Sequence, residues 1–227
     1  LLATKQRGVR ALILAPTREL AEQTHQAIGS LGARTGLRSA TIYGGVSKGP
    51  QIAALRRGVP ILVACPGRLL DHAGEGDVDL SRVEVLVLDE ADRMCDMGFL
   101  PDIRRILRQL PARRQTLFFS ATMPADIRTL ADSILHDPVT VQIGRAAPVE
   151  TVSHALFPTP WNRKTEALLA LLEQTATGRV LVFTRTKRRA RTMSQRLAKN
   201  GYRASELQGN MTQNRRQQAI DGFRNGK

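Results

Sequence analysis

The chain has 227 residues, which is too long for one small domain and suits two modest ones, and with 42% hydrophobic residues it can bury a core and does not have the composition of a disordered protein. Its 34 Lys and Arg residues exceed its 20 Asp and Glu residues, and the net charge of +14 points to a polyanionic partner such as nucleic acid. Aromatic residues make up only 4%, so a platform of stacked bases is not expected and a bound nucleic acid would be held by its backbone.

The cysteine count and the apolar runs indicate the compartment. Cys65 and Cys95 are too few for a disulfide framework or a zinc site, which predicts a reducing, cytoplasmic location. The longest apolar runs have the length of buried strands and fall short of the roughly 20 residues that span a membrane. We therefore expect no membrane partner.

In the first part of the chain, apolar strand-like runs alternate with helix-like segments. The predicted strands are, in order, RALILA, RSATIY, PILVAC, VEVLVL, QTLFFS and PVTVQI. The predicted helices cover residues 17–31, 47–57, 66–73, 101–110 and 124–135. Strands that are apolar on both faces and alternate with helices predict a parallel α/β sheet covered on both sides.

The pattern breaks at residues 144–151, GRAAPVET, which have no hydrophobic period and are predicted to form a linker. Beyond it, the runs VSHALF, RVLVFT and YRASEL are predicted as strands, each followed by a helix, over residues 162–175, 186–199 and 212–224. We therefore predict two α/β lobes, residues 1–143 and 152–227, the second of which stops before it is complete.

The run VEVLVLDEADRM ends a predicted buried strand in three carboxylates, Asp89, Glu90 and Asp92. In open parallel sheets, ligands collect at the carboxyl ends of the strands. Crowded carboxylates repel unless a cation neutralises them, and their oxygens suit Mg²⁺ shared with phosphate. We predict that Asp89 holds the Mg²⁺ of a nucleotide and that Glu90 deprotonates an attacking water. An acidic turn that caps the next helix is the alternative.

Two hydroxyls follow the next strand, in the tripeptide SAT. Ser120 and Thr122 can hydrogen-bond a carboxylate and report its state to a neighbouring element. A simple cap before Pro124 is the alternative.

The segment APTRELA follows the first predicted strand. Thr17 is placed to cap a helix, and Glu19 lies in the first turn, where the helix dipole favours an acid. Arg18 at this helix N-terminus could grip a phosphate. Ordinary helix punctuation explains the segment equally well.

Two further strand ends carry residues that allow a close backbone approach. CPGR places Pro66 at the first helical position, Gly67 next to it and a charge at Arg68. Gly44 and Gly45 end the second strand. A purely structural role is open for each.

Taken in order, these segments resemble the motifs of the DEAD-box ATP-dependent RNA helicases of superfamily 2. PTRELA resembles motif Ia, GG with CPGR motif Ib, DEAD motif II, SAT motif III and VLVFTRTK motif IV. GNMTQNRR contains the Gln-x-x-Arg of the following motif, and DMGF after the DEAD box also fits. The run from GNMTQNRR to the last residue is similar to the bacterial RhlE-like branch.

The resemblance implies two RecA-like lobes of the P-loop NTPase type, with ATP and Mg²⁺ between them and single-stranded RNA or a short duplex bound without sequence preference. It implies that Asp89 coordinates Mg²⁺ through water and that Glu90 activates the hydrolytic water. It implies that Asp92, Ser120 and Thr122 couple the nucleotide state to lobe closure. The implied RNA-binding residues are Pro16, Thr17, Arg18, Glu19, Gly44, Gly45, Pro66, Gly67 and Arg68 in the first lobe, and Thr184, Gln213 and Arg216 in the second.

The chain departs from the family pattern in two ways. Cys65 stands where motif Ib has Thr, a lost helix cap worth about 1 kcal/mol. There is also no G-x-x-x-x-G-K-[ST] phosphate loop, no Q motif and none of the later second-lobe motifs. We therefore expect a fragment that is inactive as an ATPase by itself. The alternatives are a non-enzymatic RNA-binding clamp, a decayed helicase, and a DNA-directed relative.

Overall fold

The structure is a computed structural model that describes residues 8–142, 152–175 and 178–226. It divides into two compact units, Leu1–Thr140 and Val141–Lys227. The predicted linker, residues 144–151, lies outside the described residues. The exact lobe bounds given by the sequence therefore stay a prediction.

The first unit is built on a five-stranded parallel sheet whose strands follow in the order β2-β3-β1-β4-β5. In the central strand, Leu12 pairs with Leu62 on one side and with Leu86 on the other. The strands are β1 Ala11–Leu14, β2 Ser39–Ile42, β3 Ile61–Ala64, β4 Val85–Leu88 and β5 Gln115–Phe118. The first five predicted strands are thus confirmed.

Helices connect these strands, as parallel strands require. They are α1 Arg18–Gly32, α2 Lys48–Arg56, α3 Pro66–Gly74, α4 Ala91–Asp96, α5 Leu100–Leu107 and α6 Ala125–Ile134. All were predicted except α4, whose six residues are too few to show a helical period. No helix in the described part of the chain is long and apolar enough to cross a bilayer.

The sheet buries its two faces unequally. On one face, Leu12 and Leu86 pack into the main core with residues such as Ile103 of α5. On the other face, Val63 packs with Ala21 of α1 in a much smaller cluster. The side chains of β4 on this second face are only half-buried. The predicted covering of both faces therefore holds best near β1 and β3.

The second unit contains a 3₁₀ turn, Trp161–Arg163, and helices α7 Lys164–Gln174, α8 Lys187–Lys199 and α9 Gln213–Arg224. These three helices were predicted. Met193 and Leu197, both on α8, are the buried apolar residues among those that the structure describes here.

Four predicted strands are wrong within the described residues. The runs PVTVQI, VSHALF, RVLVFT and YRASEL form no strand ladder there. Val139, Leu156 and Phe183 are 90%, 89% and 92% exposed. An apolar run becomes a strand only when a neighbouring strand accepts its backbone hydrogen bonds and a core covers its side chains, and neither condition is met here.

Candidate functional site

The motifs of the first unit lie along one edge of the sheet, where its parallel strands end. Backbone hydrogen bonds extend the ladder just past the strands, from Ala15 to Ala64, from Cys65 to Ile42, and from Asp89 to Leu14. Because all five strands run the same way, their carboxyl ends meet at this edge. The prediction that these strand ends gather on one side is therefore confirmed for the first unit.

Asp89 is the first residue after β4, and its amide donates to Leu14 at 3.0 Å. Its carboxylate is half-buried and makes no hydrogen bond or ion pair with the residues that the structure describes. A partly desolvated carboxylate without a protein partner suits a hard cation that keeps its own waters, such as Mg²⁺. The donor chemistry at this position fits the predicted metal.

Glu90 has left-handed backbone torsions, φ 49° and ψ 53°, where it precedes α4. This conformation is costly for a residue with a Cβ, and such strain is concentrated at functional sites. The Glu90 side chain is exposed, and its Oε2 lies 3.8 Å from Nε of Arg93, three residues further along the chain. No residue pattern around Glu90 predicts this torsion.

Asp92 is tied to the SAT segment by a local hydrogen-bond network. The Thr122 hydroxyl and amide both donate to Asp92 Oδ2, at 2.7 and 2.9 Å. The Asp92 amide in turn donates to Ser120 Oγ at 3.2 Å. Burial alone would raise the pKa of Asp92, but the hydrogen bonds, chiefly those from Thr122, outweigh it and hold the pKa below its ordinary value.

This network joins the ends of β4 and β5, with Asp92 and Ser120 lying 28 residues apart in sequence. The Ala91 amide also donates to the Phe119 carbonyl at 3.0 Å, and the Ser120 hydroxyl donates to the Thr122 carbonyl at 2.8 Å. A shift of the SAT segment must therefore move Asp92, or break these bonds. The arrangement is a mechanical link between the ends of β4 and β5.

A second group of motif residues gathers at the ends of β1, β2 and β3. Thr17 caps α1 by accepting from the Leu20 amide at 3.2 Å, which confirms its predicted cap. The guanidinium of Arg18 fills the space that a Cβ on Gly45 would occupy, and Gly45 has φ +76°. Glycine is therefore required at this position for two reasons: it adopts the positive φ without strain, and its missing Cβ leaves room for the Arg18 guanidinium.

Arg68 is held in the same region. Its Nη1 donates to the Val46 carbonyl at 3.1 Å, and its Nε lies 3.6 Å from Asp71. A Cβ added to Gly44 would lie 4.0 Å from Arg68 Nη2. The turn that follows β2 thus packs between two guanidinium groups, Arg18 and Arg68.

Cys65 is the N-cap residue of α3 and makes no side-chain cap hydrogen bond, as its replacement of Thr predicts. Pro66 follows at the first helical position. Burial raises the pKa of the Cys65 thiol to about 11, so the thiol stays neutral and unreactive near pH 7.

In the second unit, the three predicted RNA contacts lie near helix starts. The Thr184 hydroxyl donates to the Thr186 carbonyl at 3.1 Å, and Thr186 caps α8. Gln213 is buried at the start of α9, and Arg216 Nη1 lies 3.5 Å from the Gln208 carbonyl. Gln213 therefore faces the unit's interior, so a direct contact with RNA through its side chain is restricted.

A polar cluster outside these motifs was not anticipated from the sequence. His72 is fully buried, and its Nδ1 lies 2.8 Å from Oδ2 of Asp77. A carboxylate oxygen of Glu75 lies within 4.8 Å of both groups. Glu75 is already paired with Lys48. The cluster lies at the far end of α3 from Cys65 and attaches that helix to the following loop.

Comparisons with known proteins agree with these motifs. Residues 1–130 match the family model of the DEAD/DEAH box helicases, and residues 163–227 match that of the helicase conserved C-terminal domain. A crystal structure of a DEAD box protein from the hyperthermophile Methanococcus jannaschii superposes with a TM-score of 0.59 at 36% identity, covering 99% of this chain and 60% of that one. These matches support a RecA-like, two-domain fragment, whose first unit carries the parallel α/β sheet.

Curated relatives carry the same family description. The chain is 44% identical over 223 residues to the DEAD-box ATP-dependent RNA helicase 30 of Arabidopsis thaliana, covering 97% of this chain and 38% of that protein. It is 42% identical over 219 residues to the ATP-dependent RNA helicase DeaD of Mycobacterium tuberculosis, covering 96% of this chain and again 38% of the relative. The chain thus spans about two fifths of the length of these relatives. The chain belongs to the DEAD/DEAH box helicase family.

Proposed function

We propose that the complete protein is an ATP-dependent RNA helicase of the DEAD-box type, which grips single-stranded RNA by its backbone and separates short duplexes as it hydrolyses ATP. One observation carries the proposal: Asp92, three residues after Asp89, is hydrogen-bonded to Thr122 and Ser120, while the Asp89 carboxylate has no partner among the described residues. A cation site and a mechanical link to the next strand therefore occupy the same strand end.

The roles of the two central acids follow from their surroundings. Asp89 would hold Mg²⁺ through water, and the ion would supply neutralisation of the phosphate charge when bound. Glu90 is exposed and fixed by its left-handed torsion at the entry of α4, so it can orient an attacking water and accept its proton. Asp92, Ser120 and Thr122 pass a change at this site to the end of β5.

The RNA track would follow the rest of the same edge. Arg18 and Arg68 flank the Gly44–Gly45 turn and could pair with successive phosphates, while the glycines let the RNA backbone approach. The net charge of +14 supports a polyanion as ligand. The proposed contacts are Pro16, Thr17, Arg18, Glu19, Gly44, Gly45, Pro66, Gly67 and Arg68, with Thr184 and Arg216 in the second unit and Gln213 through the small part of it that is exposed.

Finer assignments belong to the same proposal. The resemblance of the last nineteen residues supports a place in the RhlE-like branch. The free thiols of Cys65 and Cys95 support a reducing, cytoplasmic compartment. Lobes at 1–143 and 152–227 with a linker between them agree with the spacing of the motifs.

The test is the substitution Glu90→Gln in the complete gene product. RNA-stimulated ATP turnover should fall by roughly a hundredfold to ten-thousandfold, because a general base is lost, while ATP affinity should change little. Glu173→Gln makes the same chemical change on the exposed side of α7 and should leave turnover intact. Lost ATP affinity, or unchanged turnover, in Glu90→Gln would contradict the role of Glu90.

The same assay separates the alternatives. A complete product that binds RNA but turns over no ATP would be a non-enzymatic clamp or a decayed helicase. A product stimulated by single-stranded DNA in place of RNA would be a DNA-directed relative. The 227-residue chain by itself, which contains no phosphate loop, should show no RNA-stimulated turnover.

A further inference from the structure

Trp161, the single tryptophan of the chain, lies at the surface of the second unit and is 65% exposed. It begins the 3₁₀ turn that leads into α7. Tryptophan side chains are highly buried on average, so an exposed ring in a chain with few aromatic residues raises the question of what covers it.

Two cations from different helices converge on this ring. Lys164 Nζ lies 5.1 Å from the ring centroid, and the guanidinium carbon of Arg189 lies 5.5 Å from it. Both distances are within cation–π range. Arg189 is also held by a hydrogen bond from its Nη2 to Thr165 Oγ1 at 3.1 Å, so its charge has a defined position beside the indole.

The charge around the ring is mostly positive. The N-terminus of α8 carries the positive end of the helix dipole, which favours an acidic residue in the first turn. That turn contains none, so the positive potential is not reduced there. Glu166, the acidic residue in the first turn of α7, is paired with Arg163 at 3.3 Å. An anionic partner would relieve the repulsion among these cations.

The same turn of α8 connects Trp161 to the motif residues of this unit. On one side, Arg189 contacts Trp161; on the other, Lys187 Nζ donates to Asn210 Oδ1 at 3.0 Å. Asn210 belongs to the GNMTQNRR segment that carries Gln213 and Arg216. Trp161 and the GNMTQNRR segment therefore contact residues of the same first turn of α8.

We propose that Trp161, Lys164 and Arg189 form a base-stacking site for single-stranded RNA, in which one base packs on the indole and the adjacent phosphates pair with the two cations. The indole has two cations over it and is still 65% exposed, so it offers ring area to a flat base and positive charge to the adjacent phosphates, whereas an acidic peptide supplies the charge alone. Stacking tolerates any base, so the site agrees with binding that lacks sequence preference. The inference rests on the proposed RNA binding and adds to it one contact outside the motifs.

The single tryptophan makes the site directly observable, because all indole emission of the chain comes from Trp161. The chain is titrated with a short oligouridylate labelled with a dye for anisotropy, and anisotropy and tryptophan emission are followed together. Emission should be quenched over the same RNA concentrations that raise the anisotropy. Inorganic polyphosphate, which offers charge without bases, should compete for binding without this quenching.

Substitutions give the second readout. Trp161→Ala should weaken RNA binding by about fivefold to a hundredfold, the range for loss of one stacked base, while Trp161→Phe keeps a ring and should retain most of the affinity. Arg189→Gln should weaken binding, and Arg196→Gln is its matched control near the other end of α8.

The outcomes separate this inference from the proposed function. RNA that binds without changing Trp161 emission, or that binds Trp161→Ala as tightly as the parent chain, would overturn the stacking site and leave the proposed function standing. Equal quenching by polyphosphate would also overturn it, because the site would then recognise charge alone. Failure of the chain to bind RNA would overturn the stacking site, and failure of the complete gene product to bind RNA would overturn both.

Discussion

Replacing Gly45 by Ala tests whether Arg18 is positioned by the glycine turn to contact RNA. The substitution has two effects that the structure separates. The φ of +76° becomes strained, which costs about 1–2 kcal/mol for a residue with a Cβ. The new methyl group also takes the space of the Arg18 guanidinium, which must move. Losing one phosphate contact should weaken RNA binding and reduce the slope of log affinity against log salt by about 0.7.

Gly36→Ala is the matched control, because Gly36 has φ +71° and no atom within 4 Å of the added Cβ. Both variants should lose similar stability in urea titrations followed by circular dichroism. Only Gly45→Ala should change the RNA affinity and its salt slope, measured by anisotropy over a range of salt concentrations. Equal RNA binding by the two variants would refute the reasoning, since it would show that Arg18 has no part in the grip.

Three further changes test individual contacts by urea unfolding. Thr122→Val should cost about 1 kcal/mol, since it removes a charged but solvent-exposed hydrogen bond to Asp92, and a double-mutant cycle with Asp92→Asn should show this coupling. The pKa of Asp92 is lower in the folded state than in the unfolded chain, so the stability lost in Thr122→Val should be fully present at pH values above the ordinary pKa of an aspartate. This loss should vanish as the pH falls through the lowered pKa and the carboxylate becomes protonated. A loss of stability that does not change with pH would show that the charged carboxylate is not involved. The variant Cys65→Ser should be more stable than Cys65→Ala by about 1 kcal/mol, because the serine hydroxyl can cap the N-terminus of α3. Equal stabilities of the two variants would mean that no such cap forms. The variant Glu90→Gly should be more stable than Glu90→Ala by about 1 kcal/mol, because glycine adopts left-handed torsions without strain. At an ordinary helical position alanine is the more stable of the two, so a more stable Glu90→Ala would argue against the left-handed torsion.

The sequence predicted the first unit well because its strands are short apolar runs bounded by turn residues. Leu12, Leu62 and Leu86 lie in such runs, and all three are fully buried in adjacent strands. The motif residues follow directly from this arrangement, because a residue that comes next after a parallel strand lies at the carboxyl edge of the sheet. The location of Thr17 and Asp89 at this edge could therefore be predicted from the ends of the preceding strands alone.

The details of the site depend on contacts between segments distant in sequence. The pairing of Asp92 with Thr122 crosses 30 residues, and nothing local specifies which hydroxyl bonds the carboxylate. The left-handed torsion of Glu90 is imposed by the junction of β4 with α4, against the preference of the residue. The helices of the second unit were predicted correctly, but its apolar runs form no paired strands among residues 152–175 and 178–226, because β-rich composition alone does not supply a neighbouring strand.

The unpaired run from Val180 to Phe183 has a consequence for how the chain behaves in solution. Its four apolar side chains are 43%, 67%, 40% and 92% exposed, and its backbone has no ladder partner among the described residues. A segment of this kind is a template for aggregation, on which further copies can add strand by strand. Arg179 and Arg185 flank the run, and their charge opposes the addition of further copies at this segment.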